Sequence, residues 1–204
     1  MPPKKNTSSF GPKHFAELVG TFALTLMVSL MLVSGLPEAT ALVAALTLGI
    51  FVYTIGPISG CHINPAVTFG LWSVKKIDGI DAIRYMFVQC IGAALAMVVA
   101  QYLSGTSPQL FVDDMLIVGV AEAIGAAFLV FGICSVVYGK VSDAAAGLTI
   151  GGSLLIGILV ASTVSNGVIN PAVALGIGSL SPLYVIGPLV GGAAGAHLYR
   201  WLVS

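Results

Sequence analysis

The sequence contains few charged residues. Only 8% of its 204 residues are Asp, Glu, Lys or Arg, whereas an average soluble domain carries about 25%. A chain so poor in charge cannot cover a water-facing surface, which excludes an ordinary soluble domain. The formal net charge is zero, so no basic footprint for a nucleic acid exists. The three cysteines are an odd number without metal-site spacing, which excludes a disulfide scaffold.

The sequence contains several long apolar runs. Of all residues 57% are hydrophobic, and a helix that crosses a bilayer core needs about 20 apolar residues. We therefore predict an all-α protein embedded in a lipid bilayer, with six membrane-spanning helices. The first apolar run is too long for a signal peptide, so we expect a retained helix. The six runs lie near residues 15–36, 40–57, 82–103, 115–138, 146–164 and 183–203.

The basic residues indicate how these helices are oriented. With six spans, all eight fall on one face of the membrane, and basic residues in short loops mark the cytoplasmic side. We therefore expect both termini to be cytoplasmic. The short loops favour a prokaryotic plasma membrane. The residues concerned are Lys4, Lys5, Lys13, Lys75, Lys76, Arg84, Lys140 and Arg200.

The sequence contains an internal repeat. Ala-Glu-x-x-Gly at residues 16–20 recurs at 121–125, and Ile-Asn-Pro-Ala-Val at 63–67 recurs at 169–173. Each half therefore holds three spans and one short segment. Because three is odd, the second copy enters the membrane from the opposite side, as an inverted repeat. We assign a cytoplasmic tail to 1–12, the first repeat to 13–104 and the second to 115–204.

Each repeat carries one Asn-Pro-Ala motif. Asn is a favoured N-cap and Pro a favoured first residue of a helix, so the motifs predict short helices over 64–73 and 170–179. Each would span about 15 Å, half of the hydrocarbon core. Non-helical backbone at membrane depth must be buried in protein or line water. We therefore expect re-entrant half-helices whose N-termini meet near the midplane. The motif residues are Asn64, Pro65, Ala66, Asn170, Pro171 and Ala172.

Two facing half-helix N-termini predict a transport function. Each carries about half a positive charge, which repels cations. The Asn64 and Asn170 amides would donate hydrogen bonds to a passing solute, and free carbonyls of the loops before them would accept hydrogen bonds. Such a lumen favours water and small neutral solutes over ions and protons.

These motifs resemble those of the aquaporin (major intrinsic protein) family, over nearly the whole chain. Further markers are Ala-Glu-x-x-Gly-Thr at residues 16–21, the segment 58–68, and small or polar residues in two helices. The resemblance implies six transmembrane helices plus two re-entrant half-helices. It also implies a passive water channel without a cofactor, assembled as a homotetramer with a pore in each protomer. The helix markers are Gln89, Gly92, Pro188, Gly191 and Gly192.

The chain departs from the family at the outer constriction. A typical member has an arginine three positions after the second motif's Asn, where this chain has Val173. The resemblance places the other constriction positions at Ala44, Ile158 and Gly167. This set has no charge, aromatic ring or imidazole, which predicts a wide apolar neck that admits glycerol, urea or ammonia besides water. The alternative is a neck that dewets and slows water, and that passes larger neutral solutes or gases.

Four further residues have two interpretations each. Glu17 and Glu122 would form an ion pathway or accept hydrogen bonds from the re-entrant backbone; their repeat-related positions, and the resemblance, favour loop support. His62 would sense protons, or orient the loop and line the lumen, which we favour. Cys61 would be a buried bystander thiol or a lumen-facing thiol open to mercurials.

Two other functional classes can be compared with a channel. An inverted-repeat secondary transporter would need an ion site, for which only Glu17 and Glu122 are candidates. An enzyme would need a nucleophile and base, a metal cluster or a phosphate loop, and the sequence has no such pattern. We therefore predict no catalysis, no cofactor and no bound metal.

Overall fold

The computed structural model describes residues 10–204, which form eight α-helices and no β-strand. Six helices are long and two are short. Lys4, Lys5 and most of the predicted tail lie outside the described residues. The helices are α1 (Pro12–Val33), α2 (Thr40–Ser59), α3 (Pro65–Ser73), α4 (Gly79–Ser104), α5 (Leu116–Val137), α6 (Asp143–Ala161), α7 (Pro171–Ile177) and α8 (Pro182–Val203).

The long helices have the lengths that a membrane requires. By length and composition, α1, α2, α4, α5 and α6 can each cross a bilayer. Helix α8 has 22 residues, as many as α1, and contains two prolines, His197 and Arg200. The chain is therefore a multi-pass membrane protein with six long helices and two half-helices.

Helices α1, α4 and α6 each begin three residues earlier than the apolar runs predict. Helix α1 begins at Pro12 rather than at residue 15, because Pro12 takes the first helical position and Gly11 the N-cap. It ends at Val33 rather than at 36, and the chain turns at Gly35, whose φ is +77°. Helix α6 begins at Asp143, whose carboxylate lies in the first turn, where the helix dipole favours a negative charge. Hydropathy alone does not include these polar first turns.

The two short helices match the predicted half-helices in position. Helix α3 covers nine residues and α7 seven. Helix α7 ends at Ile177 rather than at 179, because Gly178 takes a left-handed conformation with φ +78°. This is a frequent way for a helix to end.

The half-helices pack against the opposite half of the chain. The long helices pair within each half, α1 with α4 and α5 with α8, while α2 packs against α6 between the halves. Half-helix α3 packs against α8, and α7 packs against α4. At these contacts the Gly192 backbone lies against the Ala66 carbonyl, and a Cβ on Gly176 would come within 2.9 Å of the Ala93 oxygen. The two halves are therefore interlocked.

Helices α5 and α8 approach each other closely at Gly191. A Cβ on this residue would overlap the Ala123 carbonyl oxygen and lie 2.7 Å from the Ala123 Cα, so backbone opposes backbone. Small residues allow such approach in membranes, where packing rather than hydrophobic burial holds helices together.

Candidate functional site

The two Asn-Pro-Ala motifs begin the two half-helices. Asn64 is the N-cap of α3, and its side-chain oxygen accepts a hydrogen bond from the Ala66 N–H at 2.8 Å. Asn170 caps α7 in the same way, accepting from the N–H groups of Ala172 at 3.1 Å and Val173 at 3.3 Å. Pro65 and Pro171 take the first helical positions, where their missing N–H costs nothing.

The same asparagines join the two half-helices at their N-termini. Asn64 Nδ2 donates to the Ile169 carbonyl, and Asn170 Nδ2 donates to the Ile63 carbonyl, each at 3.0 Å. Each amide has two hydrogens, so one of them remains for a further partner. The Ile63 and Ile169 carbonyls each accept one of these hydrogen bonds. That carbonyls of the two loops line the solute path stays a prediction.

The backbone at this junction is strained. Ile63 has a φ of +40° and Ile169 a φ of +44°, a region that β-branched residues rarely adopt. Such strain persists only where the surrounding structure imposes it. Here each isoleucine is fully buried and is held through both its N–H and its carbonyl.

Two buried carboxylates hold the N–H groups of the re-entrant loops. Glu17 accepts hydrogen bonds from the N–H groups of His62 at 2.9 Å and Ile63 at 2.6 Å. Glu122 accepts from Val168 at 2.9 Å and Ile169 at 2.5 Å. Ser59 and Ser165 complete the two sets, each donating its hydroxyl to the nearby carboxylate. Both glutamates are fully buried, so each satisfies backbone donors that water cannot reach.

The loop of the first half is supported by side chains that the sequence prediction did not connect. Gln89 donates to Glu17 at 2.8 Å and to Thr68 at 3.0 Å. The His62 ring lies 3.1 Å from the Thr68 hydroxyl and edge-on to Tyr85. These contacts hold the His62 ring in place, and the residue also lines a cavity described below.

The loop of the second half is held differently. The Asn166 N–H donates to the Tyr184 hydroxyl at 2.9 Å. The side-chain nitrogen of Asn166 donates to the Phe111 carbonyl at 3.1 Å and to the Ser179 hydroxyl at 2.8 Å. No role was predicted for Asn166 from the sequence. Its partners come from three separate segments, so spacing along the chain gives no signal for them.

One cavity is lined by all four residues predicted to form the constriction. This cavity, which we call the Val173 cavity, has a volume of about 280 Å³. Glu38 is its one charged lining residue within the described chain, and most of its wall is apolar. It is lined among others by Ala44, Ile158, Ser162, Asn166, Gly167, Asn170 and Val173.

A second cavity lies at the opposite end of the bundle. This His62 cavity has a volume of about 440 Å³ and is lined by Ser59, Gly60, His62 and Tyr85, with Lys13 and Asp81 paired beside them. Helix α2 begins at the Val173 cavity and ends at the His62 cavity. Asn170 lines the Val173 cavity, and His62, two residues before Asn64, lines the His62 cavity. The asparagine junction joins these two loops and therefore lies between the two cavities.

Cys61 lines neither cavity. Its side chain is 3% exposed, and its N–H donates to the Ser59 hydroxyl at 3.0 Å. Its repeat-related position, Gly167, does line the Val173 cavity. The two halves therefore differ at this point of the loop.

Comparison with known proteins places the chain in a family. The family described as Major intrinsic protein matches residues 4–199. Aquaporin AqpM of Methanothermobacter thermautotrophicus is 30% identical, covering 96% of this chain and 99% of the relative. Nodulin-26 of Glycine max is 34% identical, covering 78% of this chain and 64% of the relative.

A solved structure has the same fold. The aquaglyceroporin from Plasmodium falciparum superposes with a TM-score of 0.76 at 19% identity, covering 94% of this chain and 96% of that protein. The fold class predicted from the two motifs and the six apolar runs is thus confirmed. The chain belongs to the major intrinsic protein family, the aquaporins, which are membrane channels for water and small solutes.

Proposed function

We propose that this chain is a passive channel for water and small uncharged solutes, with glycerol, urea and ammonia as candidate cargo. The observation that carries the proposal is the pair of asparagine-capped half-helices, bonded to each other between two cavities at opposite ends of the bundle. Each asparagine keeps one amide hydrogen for a passing solute. A neutral solute with hydroxyl or amine groups would find a partner there.

The same arrangement supports exclusion of ions and protons. The N-termini of the half-helices present N–H groups and a partial positive charge at the junction, which disfavours cations. The buried carboxylates Glu17 and Glu122 are engaged by loop N–H and hydroxyl groups. Neither is therefore free to bind a coupling ion, which disfavours a secondary transporter.

The constriction supports a broad choice of solutes. Ala44, Ile158, Gly167 and Val173 line the Val173 cavity together, and none has a charged or aromatic side chain. A neck of this kind offers room for solutes larger than water. If the apolar neck is poorly hydrated, it would instead conduct water slowly and pass larger neutral solutes or gases. Transport measurements distinguish a broad water and solute channel from this alternative.

We further propose that the protein is a homotetramer in the plasma membrane, with both termini in the cytoplasm. Membership of the family supports the proposed assembly. The orientation is supported by the basic residues, because Lys13, Lys76 and Arg200 lie at the end of the bundle that holds the His62 cavity, whereas Glu38 and Asp113 lie at the other. Basic residues mark the cytoplasmic side.

Transport in liposomes tests the proposed function. We expect stopped-flow light scattering to give fast shrinkage in an impermeant osmolyte and fast reswelling in glycerol. Ala44→Phe should lower glycerol permeability at least about tenfold, because it fills a neck built from small and apolar side chains. Leu46→Phe is the matched control, since Leu46 lies on the same helix and is 56% exposed at the protein surface. Wild-type liposomes that behave like protein-free ones would refute the proposed passage of water and glycerol.

Mercurial sensitivity tests the position of Cys61. We expect mercuric chloride to leave the flux of the wild-type protein nearly unchanged, because the Cys61 thiol lines neither cavity. Ser162→Cys is the positive control, since it places a thiol on the wall of the Val173 cavity. Block of the wild-type protein that Cys61→Ser removes would mean that the thiol faces the lumen.

A further inference from the structure

The neck contains a hydroxyl group that the four constriction positions do not include. Gly167 has a φ of +62°, and a Cβ built on it would overlap the Ser162 side-chain oxygen. The same Cβ would lie 3.0 Å from the Ile158 carbonyl oxygen. The space that a side chain at position 167 would occupy is therefore filled by the Ser162 hydroxyl, between two of the constriction residues.

The end of helix α6 fixes Ser162 in this place. Ser162 is the C-cap of the helix, and its N–H donates to the Ile158 carbonyl at 2.8 Å. The residue is exposed and lines the Val173 cavity. Within the described chain no group forms a hydrogen bond with its hydroxyl oxygen, which leaves the hydroxyl available to a solute as both donor and acceptor.

The two halves of the repeat differ in which of these two positions carries a side chain. With the offset of 106 residues between the two halves, Ser162 corresponds to Gly56 and Gly167 corresponds to Cys61. The first half has a side chain at the loop position and none at the helix position. The second half has the reverse. The hydroxyl is thus a feature of one end of the molecule only.

We infer that Ser162 is a specificity-determining residue of the neck, selecting solutes that carry hydroxyl groups, water and small polyols, over apolar gases. This inference rests on the proposed channel function. A solute that passes Ile158 and Val173 loses water on apolar walls and exchanges it for the Ser162 hydroxyl. Beyond it lie the Asn166 side chain and the Asn170 amide, which line the same cavity. The hydroxyl therefore continues a polar path through a neck that its other residues leave apolar.

Substitution of Ser162 in reconstituted liposomes tests the inference. Ser162→Ala should lower both water and glycerol permeability about fivefold, the factor for one hydrogen bond of ordinary strength lost at the barrier. Ser162→Thr and Ser162→Val separate polarity from size, because they have nearly the same shape and differ in the hydroxyl. We expect the threonine variant to retain most of the flux and the valine variant to lose it.

A neighbouring residue supplies the control. Thr163→Ala removes an exposed hydroxyl that donates to the Val160 carbonyl at 2.8 Å and does not line the cavity, so wild-type flux is expected. The inference is overturned if Ser162→Ala conducts like wild type, or if the threonine and valine variants lose flux equally. Each variant is compared at equal amounts of folded protein, measured by gel filtration. A wild-type protein that passes neither water nor glycerol would overturn the proposed function for these solutes, and this outcome is visible before any variant is tested.

Discussion

Gly191→Ala is expected to destabilise the folded bundle by about 1–3 kcal/mol, the usual cost of overpacking a well-packed interior. The added methyl group would overlap the Ala123 carbonyl, and backbone atoms cannot move aside as a flexible side chain can. Helix α8 must then separate from α5, which also disturbs α3, since α3 packs on α8 next to this glycine. The measurement is thermal unfolding in detergent, together with water flux.

Gly152→Ala is the matched control for this prediction. Gly152 also lies inside a long helix, α6, but a Cβ there would meet no atom within 4 Å. Alanine favours helix over glycine by about 0.5–1 kcal/mol, so this variant should be as stable as wild type or slightly more stable. Equal unfolding temperatures for the two variants would show that α5 and α8 are not held at contact distance.

Glu17→Gln and Glu122→Gln are each expected to destabilise the protein by about 2–3 kcal/mol, because an amide NH₂ would face a buried backbone N–H that then lacks an acceptor. The N–H groups concerned belong to Ile63 and Ile169 and bond to the Oε2 atoms at 2.6 and 2.5 Å. Both isoleucines have strained backbone, so release of either loop should also separate the asparagine junction. We expect loss of flux along with stability.

Glu38→Gln is the control for both variants. Glu38 lies on the rim of the Val173 cavity and is exposed, so its substitution should leave the unfolding temperature unchanged. If the Glu17 and Glu122 variants were as stable as this control but lost ion coupling or proton flux, the carboxylates would belong to a transport pathway. Loss of stability with unchanged selectivity in the residual flux supports the role in holding the loops.

The half-helices could be predicted from sequence because their determinants are local. An Asn N-cap followed by Pro specifies a helix start from neighbouring residues alone, and the structure begins α3 and α7 directly after Asn64 and Asn170. The start of α1 was predicted three residues late, since a polar first turn does not raise hydropathy.

The site residues that could not be predicted from the sequence depend on contacts between distant segments. Asn166 bonds to groups from the loop before α5, the end of α7 and helix α8, and no spacing rule links these. Ser162 was overlooked because the constriction positions were transferred from the family one by one. Aligning the two halves pairs Gly56 with Ser162 and Cys61 with Gly167. This alignment shows a side chain at position 162 where the first half has none, and it would have indicated Ser162.

The exchange of half-helices between the two halves has a consequence for biosynthesis. Helix α3 is made early, but the helix on which it packs, α8, is synthesised after all the other described helices. Until then the Asn64 loop has neither its Ile169 partner nor the α8 surface beside it. The first three long helices can enter the membrane in order, whereas the native surroundings of α3 require α8. Assembly of the lumen is therefore expected only after α8 has been inserted.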